Sequence, residues 1–266
     1  MTQIEKRPQT LKNFFQRDLV KDKFKEILDK RSTSFITTVL QICNQNDLLS
    51  QATPESVFGA AMTSATLDLP INPNLGFAYI VPYKTKNGNS YENVAQFQIG
   101  YKGLIQLAQR SGQIKTISAT PIYEGQIVSS NPLTGYIFDF EKKESSTIIG
   151  YAAYFSLLNG FEKTQYMTID EIEKHAKRYS QTFKRDFGVW KDNFHSMAMK
   201  TVLKLILSKF APLSVDMQKA IQLDQTVIED KEFEYVDNKE DVQEAVEVKK
   251  EEMRGKETEQ GQMDMP

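Results

Sequence analysis

Cysteine is almost absent from this chain: Cys43 is the only one in 266 residues, so a disulfide framework within the chain is excluded. Its neighbours Val39, Leu40 and Ile42 mark it as a small buried hydrophobe rather than a nucleophile. Histidine is nearly as scarce. His175 and His195 have no cysteine near them, so a structural zinc site lacks its ligand set. No run of about 18 apolar residues occurs, and the opening MTQIEKRPQT has no apolar centre, which predicts a soluble cytosolic chain without membrane span or signal peptide. The motifs G-x-x-x-x-G-K-S/T, H-E-x-x-H and G-x-S-x-G are missing too, which argues against an ATP-driven motor and gives no catalytic residue to assign. Acidic pairs such as Asp170 and Glu171 sit at a predicted helix start, where capping accounts for them without a metal.

Charge is present but unevenly placed. Residues 225–266 hold 14 acidic and 6 basic side chains, leaving 27 basic against 21 acidic before them. A mildly basic body, residues 1–228, thus carries an acidic tail, 229–266. After Tyr235 the tail has few large apolar residues, too few to offset its ordering entropy, and it is expected to be disordered apart from a transient helix near EDVQEAVEVKKEEMR.

Apolar periodicity predicts two amphipathic helices within residues 1–50, a region suited to oligomerisation, then a helix opened by Thr53 and Pro54 and ended near Asp68. FAYIVPY and VAQFQIG read as two strands joined by a connection longer than a tight hairpin needs. In QIGYKGLIQLAQRSGQI the strand-like alternation changes to helical spacing at Gly100. There Lys102, between Gly100 and Gly103, stands at a helix N-terminus, a place that suits an anion; close packing of the glycines is the competing reading. Strand-like pieces follow over 115–124, 136–142, 148–158 and 162–168. Thr168 and Glu171 form a capping box, and a last long helix covers about 191–210. Helices at both ends of a run of strands predict an α+β fold: a small, largely antiparallel sheet with a β-hairpin, flanked by helices.

Eight cations fall between residues 174 and 204: Lys174, Lys177, Arg178, Lys184, Arg185, Lys191, Lys200 and Lys204. Lys184, Arg185, Lys191, Lys200 and Lys204 have no acidic residue four positions earlier on a shared helix, so solvent or an external anion is expected to satisfy them. Lysine and arginine on one surface with aromatic side chains among them is the footprint of nucleic-acid binding.

Three stretches carry a resemblance: LDLPINPNLGFAYIVPYK, QFQIGYKGLIQLAQRSGQI, and MAMKTVLKLILSKFAPLS followed by DMQKA. In this order, from about Ala60 to Ala220, they resemble the RecT family of phage single-strand annealing proteins. The resemblance implies a phage or prophage protein of the bacterial cytoplasm that coats single-stranded DNA and anneals complementary strands without ATP. It further implies a homo-oligomer, ring or filament, acting beside a partner exonuclease, with no cofactor and no catalytic site. A host single-strand binding protein is a further candidate partner, through the acidic tail.

Annealing must hold backbones and leave base edges free, so phosphate contacts are expected to dominate. The candidate groove, spanning neighbouring subunits, is lined by Lys102 and Arg110 from the first half and Lys184, Arg185, Lys200 and Lys204 from the second. Lys84, Gln98, Gly100, Gly103, Gln106, Gln109, Lys177, Arg178 and Lys191 are further DNA-binding candidates. Tyr83, Tyr101 and Trp190 are candidates to stack on bases. Two rivals stand beside this reading: a metal-dependent nuclease or other DNA-processing enzyme, and a KH-like RNA-binding module suggested by Gly100-x-x-Gly103.

Overall fold

Thr53 and Pro54 start a helix because proline at the first helical position needs no backbone donor and has its φ already set. That helix is α5 of a computed structural model that describes residues 10–87, 90–131, 133–184, 189–224, 226–229 and 232–235. Arg185 and residues 236–266 lie outside them. The N-terminal helices are α1 (Leu11–Phe15), α2 (Asp18–Leu28), α3 (Ser32–Asn44), α4 (Asp47–Ser50) and α5 (Pro54–Thr66), so the expected two amphipathic helices are divided by turns at 16–17, 29–31 and 45–46. Phe15, Phe24, Val39 and Val57 bury their apolar faces in the main core.

Strands β1 (Ala78–Asn87) and β2 (Ser90–Ile99) pair antiparallel through to Asn87 opposite Ser90. The long connection expected between them is therefore mostly strand, and Lys84 and Lys86 belong to β1. The outer edge of β2 is closed by side chains and the start of α5. Thr53 N donates to Asn93 O (3.0 Å), and Ala95 N donates to Ser56 Oγ (2.8 Å). Ser56 Oγ also accepts from Thr53 Oγ1 and donates to Thr53 O, so Thr53 holds the cap position without a side-chain cap bond of its own. An edge strand without such partners would present unpaired amides to other chains.

Helix α6 (Tyr101–Arg110) follows β2 directly, with Gly100 as its cap and Ser111 closing it. Strands β3 (Ile114–Tyr123), β6 (Ile148–Leu157) and β7 (Glu162–Thr168) form a three-stranded antiparallel sheet in the order β3-β6-β7. Between β3 and β6 lies a hairpin, β4 (Ile127–Asn131) and β5 (Gly135–Phe138), whose Ile127, Tyr136 and Phe138 pack on Ile122, Ala152 and Tyr166. The serines of β4 interrupt apolar alternation, which hid this strand in the sequence. Helices α7 (Ile169–Tyr179), α8 (Gln181–Lys184), α9 (Val189–Asp192), α10 (Phe194–Phe210) and α11 (Val215–Leu223) complete the body. A hairpin of β8 (Thr226–Glu229) and β9 (Glu232–Tyr235) follows, so strand extends past the expected boundary at residue 228. Mixed helix and small antiparallel sheets match the α+β expectation, with the strands divided among separate small sheets.

The glycines of α6 are packing residues. A Cβ on Gly100 would stand 2.1 Å from Gly76 O, and one on Gly103 would stand 2.2 Å from Phe77 O and 2.8 Å from Ile99 Cγ1. Gly100 N also donates to Phe77 O at 2.8 Å. The first turn of the helix thus lies against the backbone of 76–77, and that backbone cannot yield as a flexible side chain would. Gly103→Ala would gain up to about 1 kcal/mol in helix propensity, but forcing atoms into a filled site costs about 1–3 kcal/mol or more. We expect Gly103→Ala to lower stability by about 1 kcal/mol or more in urea unfolding, with the exposed Gln109→Ala within about 0.5 kcal/mol of the parent.

Candidate nucleic-acid interface

Helix α7 begins at a complete capping box: Glu171 N donates to Thr168 Oγ1 (3.2 Å) and Thr168 N donates to Glu171 Oε2 (2.8 Å). Its spacing turns Ile172 and Ala176 inward and leaves Lys174, Lys177 and Arg178 exposed. Lys174 pairs with Asp170 at 2.6 Å, whereas the Arg178 guanidinium lies 5.3 Å from the ring centre of Tyr179. Helix α10 crosses beneath, carrying Lys200 and Lys204 one turn apart. Between α7, α10 and the end of α11 is a cavity of about 300 Å³ lined by His175, Tyr179, Trp190, Lys200, Lys204 and Asp224.

Asp224 organises this cleft. Its side chain is fully buried and takes three donors: Lys200 Nζ at 2.9 Å, Lys204 Nζ at 2.6 Å and the backbone Ile99 N at 3.1 Å. Burial by itself pushes the carboxyl up. Lys200 and Lys204 together outweigh that and hold Asp224 below its ordinary value. Burial pulls the Lys200 ammonium down, partly offset by Asp224 and reinforced by Lys204. His175 is likewise lowered, by burial first and then by Lys204 and Arg178, so the imidazole is neutral at pH 7 in a cationic field. Two ammonium groups against one carboxylate leave a positive surplus at the cleft, and Arg178 adds to it. A positive surplus of this kind suits an anion; the Tyr179 ring beside it packs against His175, with ring centres 4.6 Å apart.

The expectation that Lys200 and Lys204 depend on solvent or an external anion is corrected here. Their partner is Asp224, 24 and 20 residues away respectively, and Lys200 is a buried clasp residue rather than part of an open groove wall. Lys204, with 29% of its side chain exposed, reaches both Asp224 and the cleft. Arg110 is engaged too: it donates to Leu67 O (2.7 Å) and Asp68 O (2.8 Å), closing the C-terminal end of α5. Trp190 is 5% exposed and packs edge-on to Phe183 and against Phe194, so it contributes to the cleft wall mainly as a buried residue. Tyr83 is buried against Val94, and Gly100 and Gly103 are buried under the 76–77 backbone.

Exposed candidates remain at several places. Lys84 lies on β1 and Lys102 and Gln109 on α6, with Lys177 and Arg178 on α7, Lys184 on α8 and Lys191 on α9. Gln98, Tyr101 and Gln106 are half-buried, and Gln98 Nε2 donates weakly to Gln96 Oε1 at 3.4 Å. Arg185 lies outside the described residues. The structure thus gathers His175, Tyr179, Lys200, Lys204 and Asp224 around one cleft, with Arg178 near enough to depress His175. Sequence reasoning missed His175, Tyr179 and Asp224. The one signal for Asp224 was the presence of two lysines one turn apart among the apolar residues of α10, which requires a buried anion somewhere.

Removing one partner of a buried ion cluster costs about 3–5 kcal/mol. Asp224→Asn should therefore lower stability by about that amount at pH 7 in denaturant titrations. Because the folded carboxyl sits below its unfolded value of about 3.9, its contribution is present above that pH and is lost as pH falls through the folded value. The difference between parent and variant should narrow below about pH 4; a constant difference down to pH 2 would contradict the ionised clasp.

The sequence profile of the RecT family matches residues 33–257. The chain is 50% identical over 219 residues to the uncharacterized protein YqaK of Bacillus subtilis strain 168, covering 82% of this chain and 73% of that protein. It is 30% identical over 178 residues to protein RecT of Escherichia coli strain K12, covering 64% of this chain and 62% of RecT. With most of its length matched, the chain belongs to the RecT family, a family of single-strand annealing proteins of phage-type recombination.

Proposed function

We propose that this protein binds single-stranded DNA by its phosphates and anneals complementary strands without ATP, as a homo-oligomer in the cytoplasm of a bacterial host. The observation that carries the reading is the cationic cleft between α7 and α10, where Lys204 and Arg178 both act on His175. Phosphate contacts there would leave base edges free to pair, which annealing requires. Lys177 and Lys184, exposed on α7 and α8, extend the path of the backbone, and Lys84 and Lys102 offer a second set on β1 and α6. Lys200 has a supporting role in this scheme, holding Asp224 and through it the start of α6. A partner exonuclease and a host single-strand binding protein fit the same reading, as suppliers of single strands.

The test follows pairing of two dye-labelled complementary oligonucleotides without nucleotide at several salt concentrations. Acceleration that weakens with salt supports the proposal. Each phosphate contact contributes about 0.7 to the log–log salt slope for a single strand. The double variant Lys177→Ala/Arg178→Ala should lower the slope by about 0.7–1.4, whereas Lys30→Ala, an exposed lysine of the N-terminal helices, should leave it unchanged. Equal slopes for all three would remove the cleft from the DNA path. Strand cleavage on addition of magnesium or manganese would favour a nuclease instead.

A further inference from the structure

A second concavity lies beside α5 and has a different chemistry. It measures about 490 Å³ and is floored by Phe14, Phe58, Met62 and Leu223. Lys23 and Lys219 stand at its rim, opposed by Glu55, and Lys23 Nζ lies 5.6 Å from the ring centre of Phe58. Phe58 and Met62 are only partly buried although they pack against the main core. An apolar groove with a cationic rim fits an amphipathic segment of negative charge.

The chain itself carries such a segment beside the groove. Thr226 and Tyr235 are Cα partners in the β8–β9 hairpin, which puts them about 5 Å apart. Leu223, in the groove wall, precedes Thr226 by three residues, a reach of at most about 11 Å. The described chain thus leaves the body at Tyr235 within about 16 Å of the groove, and seven further residues can span up to about 25 Å to Val242. At the 100° step of a helix, Val242, Ala245, Val246 and Met253 fall on one stripe, interrupted only by Lys249. Asp241 and Glu252 border that stripe on one side. Residues 236–266 hold ten acidic against five basic side chains, opposite in sign to the lysines of the rim.

We infer that residues 240–253 dock as an amphipathic helix in the α1–α2–α5–α11 groove of the same molecule, stripe inward, with Asp241 and Glu252 toward the rim lysines. The short tether favours the chain's own tail over a second copy, because it gives an effective concentration of the order of millimolar. The acidic tail is then a displaceable occupant, and any protein that binds the tail or the groove must compete with it.

Cross-linking of the full chain tests this. Cys43 is buried and its thiol is pushed up to about 11 by burial, so it stays unreactive toward maleimide and the background is clean. The double variant Met62→Cys/Val246→Cys, treated with a short bismaleimide, should form an intrachain link whose yield does not change on tenfold dilution. Lys23→Cys/Val246→Cys, with an exposed rim residue in place of Met62, provides the same readout should the first variant fold poorly. Ser129→Cys/Val246→Cys, with the first cysteine on exposed β4, should link at a small fraction of that yield. Links only between chains would place the tail on a second copy, and no link, or equal yields for the groove and β4, would leave the groove to another occupant; each overturns the inference.

Discussion

One carboxylate ties the two halves of the molecule together. Asp224, at the end of α11, accepts from Lys200 and Lys204 of α10 and from the backbone amide of Ile99, the last residue of β2. A lysine this deeply buried cannot remain charged beside apolar neighbours without a counterion. The acid in turn depends on both lysines and the amide. The start of α6, the axis of α10 and the exit of α11 toward β8 therefore share a single set of bonds. Because each group depends on the others, the cluster holds geometry more than it adds net stability.

Around that fixed point the backbone packs closely. Gly100 and Gly103 let the first turn of α6 rest on residues 76–77, and Arg110, at the other end of the same helix, closes the carbonyls that end α5. The stretch from 67 to 110 is thereby held at both ends of α6. The glycine-lysine-glycine junction is packed closed against residues 76–77, leaving the Lys102 side chain exposed and Tyr101 half-buried.

The proposed function falls to groups that the packing leaves accessible. The cleft between α7 and α10 combines a positive surplus with an aromatic side chain, and the Asp224 cluster ties its α10 wall to α11 and β2. Under the function proposed above, an annealing protein needs a surface that attracts backbones without reading bases, a need that cations on packed helices would meet with little sequence preference. Elsewhere on the body, α5 with α1, α2 and α11 bears an apolar groove of different chemistry.

Local signals in the sequence determined the elements. Alternation at 94–99 and helical spacing from Tyr101 located the junction at Gly100, and Thr168 with Glu171 marked the start of α7. The ordered stretches from about Ala60 to Ala220 carried the family. Each of these depends on residues within a few positions of one another. The tertiary structure alone decided which polar groups meet: periodicity reports which face of α10 is apolar but not what lies across it. Lys200 finds Asp224 24 residues away, Asp224 finds Ile99 at a separation of 125, and Arg110 finds Leu67 at 43. Trp190 is buried by partners close in sequence, Phe183 and Phe194, once α8, α9 and α10 pack together. Charge counts could therefore locate the basic region, but only the packed chain separated the cations that close on Asp224 from those that stay exposed.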